Sequence, residues 1–152
     1  MTDDDFKLIG NWPKCDYKVV GFIVQDKLKR VLCQLRDDFD HVEGHGRWTV
    51  FGGHHEPPES LLTCAVREME EELGVKAKPD LFVPFARFVP IDGVQAYHYY
   101  FIYTQPLTPK DICLDEGAGF GFLHSGQMDT MPFVPSARQV LSYLDEIGEF
   151  AS

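Results

Sequence analysis

The chain has 152 residues, a length typical of one domain, and 44% of them are hydrophobic, which is enough for a buried core. It contains 14 basic and 24 acidic residues, so its formal net charge is −10. This balance excludes a broad basic surface for a nucleic-acid polymer and charge-driven binding to an anionic membrane, because both need clustered Lys and Arg.

Runs of β-branched and aromatic residues predict six strands. In chain order they span 17–24, 30–36, 48–51, 81–89, 95–104 and 120–123. Asp92-Gly93 predicts a hairpin turn between the fourth and fifth strands, and Gly52-Gly53 predicts a turn after the third. Residues 1–16, with Pro13 and scattered charge, are predicted to be an irregular lead-in.

Two segments predict helices. Residues 60–73 follow a proline-containing start signal and end before Gly74, a residue typical of helix C-termini. Residues 135–147 place apolar side chains at helical spacing. Strands grouped around two helices indicate one α+β domain over 1–152, a sandwich with a mixed β-sheet.

Half of the net charge lies in residues 53–75, where six acids and one base, Arg67, give −5. At about 100° per residue, Glu68, Glu71 and Glu72 share one face of the helix, beside its apolar stripe. Like charges one turn apart cost about 0.2–0.5 kcal/mol per pair. A hard divalent cation, Mg²⁺ or Mn²⁺, would relieve this repulsion, whereas a solvated acidic face that serves only solubility is the alternative.

The same segment matches a known signature. Gly53, five residues, Glu59, seven residues and then REMEEELGV resembles the Nudix box, GX5EX7REUXEEXGU, in which U is apolar. Every fixed position is filled. The resemblance implies an α/β/α sandwich and hydrolysis of a nucleoside diphosphate linked to another moiety, with Mg²⁺ or Mn²⁺ as cofactor.

The resemblance also implies roles for individual residues. Glu68, Glu71 and Glu72 would be metal ligands, and they would be joined by the carbonyl group of Gly52 or Gly53. Glu59 and Arg67 would form a salt bridge that orients the helix against the preceding loop, for which a surface ion pair is the alternative.

The proton acceptor is left open between Glu71, Glu72 and an acid of a later loop. Glu116, in Asp115-Glu116-Gly117, is predicted as an additional ligand or base, and a solvated loop acid is the alternative.

Two departures from the family pattern lie in or just before the motif, but they change no predicted ligand. Phe51 precedes Gly52-Gly53 where proline is frequent, and Pro58 stands where glycine often precedes the first glutamate.

Substrate contacts are less constrained by the sequence. Arg36 and Arg47 flank a polar loop and, with Arg87, are candidate phosphate contacts, although each has a surface charge as its alternative. Aromatic residues on predicted strands are candidates for stacking a base, with a core role as the alternative. They are Trp48, Tyr97 and Tyr99.

The remaining expectations concern partners and the cell compartment. We expect a small nucleotide substrate, no nucleic-acid polymer and no membrane, and a homodimer is left open. The acidic N-terminus lacks a signal-peptide pattern and the four cysteines form no CxxC pair, so a cytoplasmic protein is expected. A non-catalytic nucleotide-binding module and an isoprenyl diphosphate isomerase are the alternative functions on the same scaffold.

Overall fold

The computed structural model describes residues 1–42, 44–114 and 117–152. In these ranges the strands are β1 (Lys7–Leu8), β2 (Lys18–Val24), β3 (Val31–Leu35), β4 (Trp48–Thr49), β5 (Phe51–His54), β6 (Phe82–Phe88), β7 (Tyr97–Tyr103) and β8 (Gly119–Leu123). The helices are α1 (Leu61–Leu73) and α2 (Pro135–Glu146). Apart from β4, β5 and β1, the predicted elements agree with these bounds to within two residues at each end.

The strands form two sheets. The larger has the order β1-β6-β7-β2-β5, with β1 parallel to β6 and β7 parallel to β2, and the smaller is antiparallel with the order β4-β3-β8. Side chains of β2 alternate between two apolar clusters: Val20 and Phe22 pack with α1, and Ile23 packs with α2. The two helices therefore cover opposite faces of the larger sheet, and the predicted α+β fold with a mixed sheet is confirmed.

Local sequence explains where the helices begin and end. The Ser60 side chain caps α1 by accepting a hydrogen bond from the Thr63 backbone N–H at 3.0 Å, and Gly74 ends the helix with φ of 65°. Helix α2 begins at Pro135, whose fixed φ suits a first helical position. No helix in the described ranges is long and apolar enough to cross a bilayer.

The predicted strand over 48–51 is two strands in two different sheets. Residues Trp48–Thr49 pair with β3, whereas Phe51–His54 pair with β2, and Val50 lies between them. The prediction of a turn at Gly52-Gly53 is therefore wrong, because both glycines pair with β2 inside β5. The apolar pattern of residues 48–51 predicted an extended backbone, but it did not indicate that the pairing strand changes from β3 to β2.

The prediction that residues 1–16 are wholly irregular is also wrong. After a short 3-10 helix, Asp3–Asp5, strand β1 joins the edge of the larger sheet beside β6. Phe6 is 1% exposed and its ring meets those of Tyr99 and Phe101 edge to face, with centroids 5.2 and 5.1 Å away. This N-terminal segment is thus part of the core.

Candidate functional site

A cleft of about 590 Å³ opens between the larger sheet, the smaller sheet and the first turn of α2. Its walls come from segments that are far apart in the sequence. The polar and glycine residues on these walls include Gln34, Arg36, Arg47, Thr49, Gly52, Gly53, His54, Glu72, Asp92, His98 and Ser136.

One edge of the cleft brings α1 against β5. Glu68 is only 9% exposed, and its carboxylate packs on the backbone of Gly53. A Cβ atom at position 53 would lie 2.2 Å from Glu68 Oε1, which is far inside van der Waals contact. Glycine at position 53 is therefore what allows this carboxylate to lie against the strand.

Arg67 forms the predicted ion pair with Glu59. Its Nη2 donates to Glu59 Oε1 at 2.7 Å and its Nε donates to Oε2 at 3.1 Å, a two-pronged contact that joins α1 to the preceding loop. The hydrogen bonds from Arg67 are the main reason that the pKa of Glu59 falls to about 2, and the same pairing raises the pKa of Arg67. The Glu59 side chain is 13% exposed, so this pair is not a solvated surface contact.

Arg67 also contacts two of the predicted metal ligands. Its Nη1 donates to Glu68 Oε1 at 3.0 Å and to Glu71 Oε2 at 3.3 Å. Arg67 therefore relieves part of the repulsion between Glu68 and Glu71, for which the sequence indicated only a divalent cation. The Arg67 guanidinium can contact Glu59 in the loop and both carboxylates on α1 because it has five N–H donors.

The three predicted metal ligands have different surroundings. Glu68 is buried, the Glu71 side chain is 58% exposed, and Glu72 lies on the cleft wall. Within the described ranges, no three His, Cys, Asp or Glu side chains are arranged closely enough to hold a metal ion. The carboxylate oxygens are nevertheless the hard donors that Mg²⁺ and Mn²⁺ prefer. The prediction for Glu116 lies outside the described residues.

Two of the three arginines predicted as phosphate contacts line the cleft, and the third does not. Arg36 and Arg47 line the cleft. Arg87 does not: its Nε donates to the Asp3 carbonyl at 3.0 Å, and its guanidinium lies 4.6 Å from the centre of the Trp12 ring. Arg87 therefore holds the N-terminal segment on the sheet, and its prediction as a phosphate contact is not supported by its position.

The candidate base-stacking residues lie in the apolar core or pack against it, which was the alternative to stacking a base. Tyr99 is 2% exposed, Trp48 packs against the apolar cluster under α2, and Tyr97 contacts the Trp12 ring at 4.7 Å. None of the three is a lining residue of the cleft.

Several cleft residues were missed by sequence reasoning. Gln34 and Thr49 are directly opposite on β3 and β4, so the strand register could have identified them once that pairing was known. Asp92 and Ser136 come from the β6–β7 connection and the start of α2, and no local pattern connects those segments to the cleft. His98 is buried in the cleft floor, where burial lowers its pKa.

Comparisons with known proteins agree with this architecture. A family model described as "NUDIX domain" matches residues 17–128. Phosphatase NudJ of Escherichia coli is 28% identical over 78 residues, which cover 49% of this chain and 51% of that protein. The chain thus spans about half the length of the curated relatives it matches.

Solved structures show the same fold over most of the chain. The MutT protein of Methanosarcina mazei superimposes with a TM-score of 0.65 at 18% identity, covering 94% of this chain and 96% of that one. An Escherichia coli dihydroneopterin triphosphate pyrophosphohydrolase gives 0.64 at 19% identity, covering 83% and 92%. A bifunctional NMN adenylyltransferase/ADP ribose pyrophosphatase from Francisella tularensis, complexed with AMP and a Mn ion, gives 0.68 at 17% identity, covering 88% and 42%.

The residues matched by the family model include strands β2 to β8, helix α1 and the complete motif at residues 53–75. The chain therefore belongs to the NUDIX domain family.

Proposed function

We propose that this chain hydrolyses a diphosphate linkage in a nucleoside diphosphate derivative, with Mg²⁺ or Mn²⁺ as cofactor. The observation that carries the proposal is the position of the α1 carboxylates at the edge of the cleft, with Glu68 packed on Gly53 and Glu72 on the wall. Two neighbours of the same fold are named as pyrophosphatases or pyrophosphohydrolases, which supports the same bond type here.

In this proposal Glu68, Glu71 and Glu72 hold the metal together with the carbonyl group of Gly52 or Gly53. When bound, the metal would neutralise phosphate oxygens and lower the pKa of the attacking water. A carboxylate of the chain then accepts the proton of that water. Glu71 and Glu72 are the candidates in the described part of the chain, and Glu116 stays a candidate from the later loop.

Arg67 has a positioning role in this mechanism. It connects Glu59 in the loop with Glu68 and Glu71 on α1, so it limits how far these carboxylates rotate. An arginine suits this role because its planar, always charged fork binds several carboxylate oxygens at once. The Glu59 pair thus fixes the guanidinium from the loop side, and the guanidinium orients the two carboxylates.

The direct test measures phosphate or nucleotide release with Mg²⁺ from a panel of oxidised deoxynucleoside triphosphates, ADP-ribose, dinucleoside polyphosphates and nucleotide sugars. Glu71→Gln and Glu72→Gln should each abolish turnover while the far-UV spectrum and the unfolding midpoint are retained. Glu70→Gln is the matched control, because Glu70 is an exposed neighbour on the same turn of α1 and points away from the Glu68 face. Full activity in both test variants would contradict the assignment.

A non-catalytic nucleotide-binding module is the second candidate. It is favoured by the contacts of Arg67 with Glu68 and Glu71, which occupy two of the proposed metal ligands. Saturable nucleotide binding without product release, over the same panel and with either metal, would favour this module over the hydrolase.

A further inference from the structure

Two arginines face each other across the end of the β3–β4 ladder. The last paired residues of that ladder are Leu35 and Trp48, and the Arg36 N–H then donates to the Arg47 carbonyl at 2.9 Å. Arg36 and Arg47 are therefore the next opposing positions, and we refer to them as the arginine pair. Opposing residues project to the same face of a sheet, with Cβ atoms about 4.5–5.5 Å apart.

That face is the wall of the cleft. Side chains alternate along a strand, so Arg36 shares its face with Gln34, and Arg47 shares its face with Thr49. All four of these residues line the cleft. The arginine pair thus presents two positive charges to the same open space.

The arginine pair is unfavourable as it stands. Like charges directly opposite each other destabilise paired strands. Among the residues that the structure describes, no carboxylate forms a salt bridge with either arginine, and Arg36 Nε is buried without a hydrogen-bond partner. Leaving a buried charged donor unsatisfied is costly, and an anion between the two guanidinium groups would relieve both problems.

The start of α2 adds to this positive end of the cleft. Val134 precedes the helix and supplies no side-chain cap, while Pro135 and Ser136 line the cleft. A Cβ atom at Gly44 would lie 3.0 Å from Val134 Cγ2 and 3.5 Å from Arg36 Cδ, so the Arg36 stem and the helix start are neighbours. Because a helix N-terminus has positive partial charge, it favours the same kind of ligand as the arginines do.

We propose that the arginine pair and the first turn of α2 form an anion subsite, separate from the α1 carboxylates, that recognises a second anionic group of the substrate. This inference rests on the proposed function. The subsite would favour one substrate class, namely nucleoside triphosphates or nucleoside diphosphates linked to a phosphorylated moiety. A nucleotide linked to an uncharged sugar lacks the group that would occupy the subsite. Planar guanidinium forks suit this choice, since they bind phosphate oxygens in pairs.

The subsite is tested first without metal and without turnover. Inorganic pyrophosphate is titrated in EDTA by calorimetry into the wild-type chain and into Arg36→Gln, Arg47→Gln and the double variant. Each single substitution should weaken binding by about tenfold or more, because it removes charge-assisted hydrogen bonds. The double variant should show no saturable binding.

Arg30→Gln is the matched control. It removes the same charge from a residue that pairs with Asp26 and does not line the cleft, so binding should equal that of the wild type. The anion-free unfolding midpoints of Arg36→Gln and Arg47→Gln should equal or exceed that of the wild type, since repulsion is removed. Equal pyrophosphate binding by the wild type and the double variant would overturn the proposal, as would an equal loss in Arg30→Gln.

The substrate class is tested next, by kcat/KM with Mg²⁺ on ATP and on ADP-ribose. Arg47→Gln should lower the value for ATP by about tenfold and leave that for ADP-ribose within about twofold. An equal loss on both substrates would overturn the class, because the arginine pair would then bind the diphosphate that both share. If neither ATP nor ADP-ribose were hydrolysed, that result would count against the proposed hydrolase activity but not against the anion subsite. The titration in EDTA would still decide whether the subsite exists.

Discussion

At the scale of single residues, Arg67 explains how a helix with so many acids is tolerated. Its guanidinium group contacts Glu59 through two nitrogens and reaches Glu68 and Glu71 through a third. The Arg67 and Glu59 side chains are 25% and 13% exposed, so water screens their contact only in part. The local charge problem is therefore solved in part by the chain itself, before any metal binds.

The Glu59 contact gives a stability that depends on pH. Because the pKa of Glu59 is lowered from 4.5 to about 2, its stabilisation should be complete above about pH 5 and lost as the pH falls towards 2. Urea unfolding midpoints of the wild type and Glu59→Gln, measured from pH 7 to pH 2.5, would show this. The advantage of the wild type should be constant down to about pH 5 and then shrink.

Comparing the two proteins removes the contribution of the other acids that titrate in the same range. A difference in midpoint that stays constant down to pH 2.5 would contradict the assignment of the lowered pKa to the Arg67 contact.

The contacts of Arg67 were predictable to different degrees. The pair with Glu59 followed from the family motif, in which both positions are fixed. The contact with Glu71 is an i, i+4 pair, so helical spacing alone would have allowed it. The burial of Glu68 depends on the absence of a side chain at Gly53 in another element, and no sequence pattern reports how closely two elements pack.

At the scale of elements, local signals were sufficient where the element's ends are defined by its own residues. Helix α1 is bounded by Ser60 and Gly74, as predicted. Strand pairing could not be predicted from local sequence in the same way. Val50 separates β4 from β5, which belong to different sheets, and β1 pairs in parallel with β6. Both features depend on residues distant in sequence, which periodicity does not include.

The edge strand β1 leads to a stability prediction. Phe6, the residue before it, is 1% exposed between Tyr99 and Phe101, so Phe6→Ala should lower the free energy of unfolding by about 3–5 kcal/mol. Leu8 lies in β1 itself but is 42% exposed, so Leu8→Ala should change stability by about 0.5 kcal/mol or less. Urea denaturation of the two variants measures both values.

The comparison separates a core role for the N-terminal segment from a loosely attached one. Similar, small losses in the two variants would mean that the segment does not contribute to the core. A large loss for Phe6→Ala alone would show that residues ahead of β2 are needed for the stability of the larger sheet.

At the scale of the whole molecule, the net charge of −10 is unevenly distributed. Residues 53–75 account for −5, and Glu72 from this segment lines the same cleft as the arginine pair. Under the proposed function, a polyanionic substrate would meet a positive end, at the arginine pair, and a negative end, at Glu72, in one cleft. Repulsion at the negative end would be removed by a divalent cation, so cation binding is expected to precede or accompany substrate binding.

This charge distribution predicts a specific stabilisation by metal. At a metal concentration of about 100 times Kd, binding adds about 2.7 kcal/mol, which for a chain of this length is a rise in Tm of about 5–10 °C. Differential scanning fluorimetry with Mg²⁺ or Mn²⁺ against EDTA measures the shift. Glu68→Gln should abolish most of it, because it removes the buried carboxylate at Gly53, whereas Glu70→Gln should retain it.

Screening of the net charge must be separated from binding at the site. NaCl at matched ionic strength reduces repulsion over the whole surface, so it should raise Tm equally in the wild type and in both variants. The additional rise with Mg²⁺ or Mn²⁺ should occur only where Glu68 is present. If NaCl reproduced the full shift, the acidic segment would serve only as a solvated face, and the metal-dependent hydrolase would lose its main physical support.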